Sequence, residues 1–215
     1  MANGHESSGR RAKGLAFKHW AFLSLGLMTL FVIYNNERFI VLHSDPDWEY
    51  FRPVRWWLLP HGMGGALALV LGAMQFSTRI RQRHPKVHRI LGRIYVAGVA
   101  AGAPLGIVLA FVHNLHLALR VETFAQSGSW LLTTAVALYY ILNGNVTRHR
   151  QWMLRSYLFT SIFIVARVLD KVPYLGSFIA PFNNGSNPAV LWFLVLFAWV
   201  IPTFAEQKAE LFGTR

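Results

Sequence analysis

The 215-residue chain contains no cysteine, which excludes disulfides, Cys-ligated zinc and thiolate-held iron–sulfur clusters. It is also poor in acid, with nine Asp and Glu against 21 Lys and Arg. None of those carboxylates falls in the middle of an apolar run, and Glu122 and Asp170 lie near run ends. A proton- or sodium-coupled transporter usually needs a carboxylate within its spans, so coupled cation transport is disfavoured. There is no Walker motif, no Gly-x-Ser-x-Gly and no His-Glu-x-x-His, so hydrolase chemistry has no recognisable nucleophile or metal site.

What the chain has in quantity is apolar length. It is 54% hydrophobic, and charge-free runs cover Trp20–Asn36, Trp56–Thr78, Ile94–Leu119, Thr123–Thr147 and Val172–Ala205. A helix of roughly 18 or more apolar residues crosses a ~30 Å hydrocarbon core. The fold class is therefore all-α, a polytopic membrane protein whose first partner is the lipid bilayer. Six spans are predicted, at about 16–36, 58–77, 89–113, 124–144, 152–170 and 188–206, with spans 2–5 as a four-helix core. The fifth is the weakest because Arg167 and Asp170 lie near its end. The sixth begins at Pro188, after Asn183-Asn184-Gly185-Ser186-Asn187, a loop followed by proline in a first helical turn. Residues 1–15 read as a basic cytoplasmic tail, 16–206 as one transmembrane domain and 207–215 as a second tail.

Lys and Arg set the orientation. With the N-terminus inside, inner segments hold fifteen basic residues, among them Arg79, Arg81, Arg83, Lys86, Arg89, Arg93, Arg148, Arg150 and Arg155. Six fall outside: Arg38, Arg52, Arg55, Arg120, Arg167 and Lys171. This positive-inside bias puts both termini in the cytoplasm. It also accounts for the net charge of +12, which is topology and contact with anionic lipid, with no nucleic acid as partner. Asn145-Val146-Thr147 fits a glycosylation pattern but falls in a cytoplasmic turn, so it carries no such meaning. The outer connection 37–57 interleaves Tyr50, Phe51, Trp56 and Trp57 with Arg52 and Arg55. That composition fits a segment lying at the outer headgroup level, and equally an ordinary aromatic belt anchoring the second span.

Two inner turns repeat. His88-Arg89-Ile90-Leu91-Gly92-Arg93-Ile94-Tyr95 opens the third span, and His149-Arg150-Gln151-Trp152-Met153-Leu154-Arg155-Ser156-Tyr157 opens the fifth. Both read His-Arg and then Arg-x-Tyr, with one extra residue in the second copy. Spans 2–3 and 4–5 are thus two hairpins related by a pseudo-twofold axis along the membrane normal. These motifs, with His61 opening a small-residue helix, resemble the domain-of-unknown-function family 2306. Its members are predicted multi-pass membrane proteins of bacteria, and the resemblance covers about residues 58–170. It implies an architecture and a bacterial plasma (inner) membrane, with no established activity. The layout is also similar to that of two-haem b-type transmembrane cytochromes, a likeness at fold level only.

Small residues form stripes. His61, Gly64, Gly65, Ala68 and Gly72 share one face of the second span, and His88, Gly92, Tyr95, Gly102, Gly106 and His113 share one of the third, with Gly98 beside it. Such stripes let helix backbones approach in lipid and would equally leave room for a flat ring. Pro104 is expected to kink the third span. Five histidines are candidate axial ligands for haem b: His61, His113 and His116 toward the outer side, His88 and His149 toward the inner side. Arg93 and Arg155, one to two turns deeper than the inner pair, are candidates for haem propionates or other anions.

Other facts weigh the other way. His88 and His113 are 25 residues apart, about 37 Å of helix, so they reach the membrane edges, where a histidine needs no ligand role. His149 sits between Arg148 and Arg150, the composition of an ordinary cytoplasmic turn. On the fifth span, His149, Ser156, Thr160 and Arg167 return to one side and must face the bundle interior or water. Arg167 has Asp170 at i+3, so a local salt bridge accounts for it without a ligand. Three functions fit: a b-type haem electron-transfer protein, an accessory or scaffold subunit of a larger membrane complex, or a lipid- or anion-binding protein using Arg93, Arg155 and Arg167.

Overall fold

The computed structural model describes residues 3–38, 42, 44–169 and 188–211. Among these residues every regular element is helical. The helices are α1 (Asn3–Asn36), α2 (Pro46–Phe51), α3 (Arg55–Gln75), α4 (Thr78–Arg83), α5 (Pro85–Val112), α6 (Leu117–Leu142), α7 (Val146–Leu169) and α8 (Pro188–Leu211). A single 3₁₀ turn at Arg52–Val54 joins α2 to α3. The six long helices fall on the six predicted apolar segments. Most begin earlier than hydropathy alone suggests: α1 runs back through the basic segment to Asn3, and α6 starts at Leu117, ahead of Arg120 and Glu122.

Three stretches are long and apolar enough to cross a membrane: Trp48–Gln75, Pro85–Val112 and Val146–Leu169. His19–Asn35 and Val190–Phe204 are shorter apolar helices. The helix expected to be weakest, α7, is among the three, since Arg167 lies only at its last turn. The helix outside both groups is α6, because Gln126, Ser127, Ser129, Thr133 and Thr134 dilute its apolar character. Of these, Ser127, Thr133 and Thr134 are buried, so α6 hides polarity inside the fold.

Helices α3 and α5 meet backbone to backbone. A Cβ built on Gly64 would lie 2.8 Å from the Gly98 carbonyl oxygen, and one on Gly98 would lie 2.9 Å from the Gly64 carbonyl oxygen. Neither helix has a flexible side chain there that could yield. The small-residue stripes are therefore a helix seam, with Gly98 at its centre. The space expected for a flat ring is filled: the Trp130 ring lies against Gly102, the His61 imidazole against Gly106, and Tyr157 and Tyr95 against Gly72. Helix α5 continues through Pro104 without interruption.

The α5–α6–α7 contact is polar at its middle. The Tyr95 hydroxyl lies 2.6 Å from Ser156 Oγ and 3.0 Å from Thr160 Oγ1. Trp130 Nε1–H donates to Thr160 Oγ1 at 2.9 Å, and Thr134 Oγ1 lies 2.7 Å from Ser156 Oγ. The polar stripe expected on the fifth span thus turns inward at Ser156 and Thr160, both buried. Tyr157 reaches the other way and donates from its hydroxyl to the Leu69 carbonyl of α3 at 3.0 Å. With no water in a hydrocarbon core, these hydroxyls must find partners on neighbouring helices.

Gly98→Ala is expected to lower stability by about 1–3 kcal/mol, the cost of forcing atoms into a closed contact. Gly65→Ala is the control, since a Cβ there meets nothing within 4 Å. Thermal unfolding of both variants in mild detergent should separate them, and equal melting temperatures would contradict the seam.

Candidate functional site

The histidines are positioned by the seam and by the short turns between helices. His61 lies one turn ahead of Gly64 on α3, and the missing side chain of Gly106 admits its ring to the α5 surface. Its Nδ1 lies 2.8 Å from the Gly102 carbonyl oxygen. A carbonyl only accepts, so Nδ1 carries the hydrogen and donates it, which leaves Nε2 with the lone pair.

His149 has the same arrangement on another helix pair. It follows the tight α6–α7 turn, where Gly144 adopts φ +74°, and its Nδ1 lies 2.8 Å from the Ala137 carbonyl oxygen of α6. Its Nε2 is again the nitrogen left with a lone pair. His149 and Arg81 are both within electrostatic reach of His88, on the first turn of α5. His88 Nδ1 is buried with no hydrogen-bond partner, as is Gln151 Oε1, two residues after His149. A buried polar atom left in that state marks a place where something further can bind.

The two levels are well separated. His61 is level with Gly102 and Gly106 of α5, and His149 with His88, a displacement of roughly 20–25 Å along α5. The Tyr95 network lies between them.

The outer candidates are not brought to His61. His113 caps the end of α5, seven residues beyond Gly106, about 10 Å further along the axis. Its ring is stacked on Phe51 at 5.4 Å between centroids and meets Tyr50 edge-on at 4.4 Å, and its Nε2 is buried without a partner. His116 is exposed at the start of α6. The interleaved aromatic segment of the outer connection thus closes over His113, with Arg55 stacked on Trp56 at 5.0 Å.

The two candidate anion ligands are also separated. Arg93 is exposed on α5, whereas Arg155 is buried against α8, donating to Thr203 Oγ1 at 3.2 Å and lying over the Trp152 ring at 4.9 Å. Arg167 stands over Phe163 at 5.1 Å with its Nε buried and unpartnered, and its expected partner Asp170 lies outside the described residues. Sequence reasoning missed two groups: Glu122, 2% exposed with Oε1 unpartnered, and Arg81 of α4, which lies near His88. Glu122 looked like a helix-end carboxylate because the start of α6 was placed too late. Arg81 looked like one of many turn arginines. Among the described residues no three His, Asp or Glu side chains converge as a protein-built metal centre would require.

These features define a helical, multi-pass membrane protein with histidines held at two levels. The chain belongs to the family described as predicted membrane protein (DUF2306), whose pattern matches residues 58–206. The match extends past the resemblance at 58–170 to take in α8, the helix that covers Arg155. No curated protein and no solved structure is similar enough to add to this.

Tyr95→Phe removes the hydroxyl shared by Ser156 and Thr160. The expected cost is about 1–2 kcal/mol, read as a lower melting temperature in mild detergent. An unchanged melting temperature would show that the hydroxyl network does not hold the three helices.

Proposed function

We propose that this chain is a six-span electron-transfer protein of the bacterial inner membrane, with both termini cytoplasmic, that holds a b-type haem between His88 and His149. The observation that carries this reading is the place of these two rings at the starts of α5 and α7, within electrostatic reach of each other. His149 donates Nδ1–H to the Ala137 carbonyl, and His88 keeps a buried ring nitrogen without a partner.

The chemistry of the donor set fits. Iron takes an imidazole through its lone pair, and a hydrogen bond from the other nitrogen to a backbone carbonyl fixes the tautomer, holds the ring plane and raises ligand basicity. His149 meets these conditions before any ligand arrives. His61 meets them too, with the Gly102 carbonyl, but has no second histidine in its layer. The level of His88 and His149 is the one that offers two histidines. When bound there, a haem supplies one-electron redox chemistry. The chain's own part is to orient the imidazoles, to exclude water through the α5–α6–α7 contact, and to keep the helices rigid through the glycine seam.

A dithionite-reduced minus oxidised absorption spectrum of the purified protein tests this. A sharp α-band with a shifted Soret peak is expected, lost in both His149→Ala and His88→Ala while the protein still inserts. His61→Ala should leave that band, and a partial loss would identify a second haem at the outer level. A colourless protein from haem-replete cells would overturn the reading.

A further inference from the structure

Among the described residues the buried carboxyl is Glu122, on the second turn of α6. It is 2% exposed, and its Oε1 is buried without a hydrogen-bond partner. It stands two residues ahead of the apolar segment predicted at 124–144 and about 8 Å along the helix from Leu117, the first residue of α6. Its side of α6 is the polar one, since Gln126, Ser129 and Thr133 follow at offsets of 4, 7 and 11. Ser129 Oγ accepts from Trp199 Nε1 at 3.1 Å, which turns this side toward α8. The sequence puts no carboxylate in the middle of an apolar run; the fold buries one at the end of a run.

An ionised carboxylate in such a place needs donors or a cation. Helix α6 packs against α5, α7 and α8. Helix α5 has no charged residue between Arg93 and His113, and α8 has none from Pro188 to Phe204. The His113 ring is held by Tyr50 and Phe51, and His116 is exposed. Arg120 is turned to the outer connection, where it donates to the Leu115 carbonyl and to Asn114 Oδ1, both at 2.6 Å. That leaves Arg167 of α7. Hydrogen bonds set Thr134 level with Ser156 and Trp130 level with Thr160, so eight residues further out Glu122 is level with Arg167 and Val168. Yet the two form no ion pair among the described residues: Arg167 lies over Phe163, and its Nε is buried without a partner.

Three kinds of ligand satisfy a lone carboxyl: a metal cation, an amine or a proton. A hard cation such as Ca²⁺ gathers six or more oxygens, and no group of three His, Asp or Glu side chains converges among the described residues. An amine needs an opening, which 2% exposure does not give. A proton needs neither.

We propose that Glu122 is a proton-binding site, a carboxyl that sits in the fold as the neutral acid and exchanges its proton with the outer side of the membrane. On release the O–H bond breaks, the electron pair stays on the carboxylate, and the proton passes to water beyond the first turn of α6. The site goes beyond the haem reading and does not require it.

Infrared spectroscopy of the full chain, in a detergent without carbonyl groups, tests this. At about pH 6 exposed carboxyls are ionised. A C=O stretch of a protonated carboxyl, shifted in D₂O, is expected from the parent, lost in Glu122→Gln and kept in Arg167→Gln. No band in the parent, or the same band in Glu122→Gln, overturns the proposal. So does a band that arises only in Arg167→Gln, which would show an ionised Glu122 held by that arginine. Thermal unfolding gives a second readout, because glutamine copies the neutral acid. The unfolded carboxyl releases its proton above about pH 4 while the folded one keeps it, so rising pH favours unfolding of the parent. The melting temperature of Glu122→Gln should therefore exceed that of the parent by a margin that widens as the pH rises, and a margin independent of pH overturns the proposal. Both readouts apply to a coloured or a colourless protein, so failure of the haem reading leaves this one standing.

Discussion

The structure depends on one contact, the approach of the α3 and α5 backbones at Gly64 and Gly98. In lipid there is little hydrophobic gain from pressing two apolar helices together, so association rests on close van der Waals contact and on hydrogen bonds between helices. Two facing glycines supply the first. They bring Ala68, Val99 and Gly102 into the buried interior and set the distance at which His61 reaches the Gly102 carbonyl. A wider seam would leave that imidazole short of its acceptor, and the tautomer of His61 would no longer be fixed.

The second half of the core is organised differently. Helices α6 and α7 are joined by a short turn and held by hydroxyl groups, and Tyr95 ties that hairpin to α5. The polar core and the glycine seam share α5, whose faces are specialised: glycines toward α3, Tyr95 toward α7, Arg93 outward. The turns that open α5 and α7 place the repeat-related His88 and His149 within electrostatic reach of each other. That juxtaposition follows from the register of the helices.

Much of this was legible in the sequence, because apolar length and small-residue spacing are direct physical requirements of a helix in lipid. The six helices and the inward turn of Ser156 and Thr160 were readable from spacing. Other features were not. Arg93 and Arg155 occupy equivalent places in the two repeats, yet one is exposed and the other is covered by α8, a helix the repeat does not contain. A motif fixes local position and says nothing of what a later helix will cover. His113 and His116 shared a side of the membrane with His61, but α5 carries them beyond its layer. Arg81 was hidden among many turn arginines, because only the fold distinguishes the one that approaches His88.

The Tyr95 network has a direction. Thr134 Oγ1 lies 2.7 Å from the Trp130 carbonyl oxygen, which can only accept, so the single Thr134 hydrogen is spent there. Ser156 must then donate to Thr134, and Tyr95 to Ser156. The series ends on an amide carbonyl that has no proton to pass on, while Thr160 has one hydrogen to share between the Ser156 carbonyl and the Tyr95 hydroxyl. A row of hydroxyls across the middle of a bundle would ordinarily invite proton hopping; this one is a closed end. A proton entering at Tyr95 has no exit along this branch of the network.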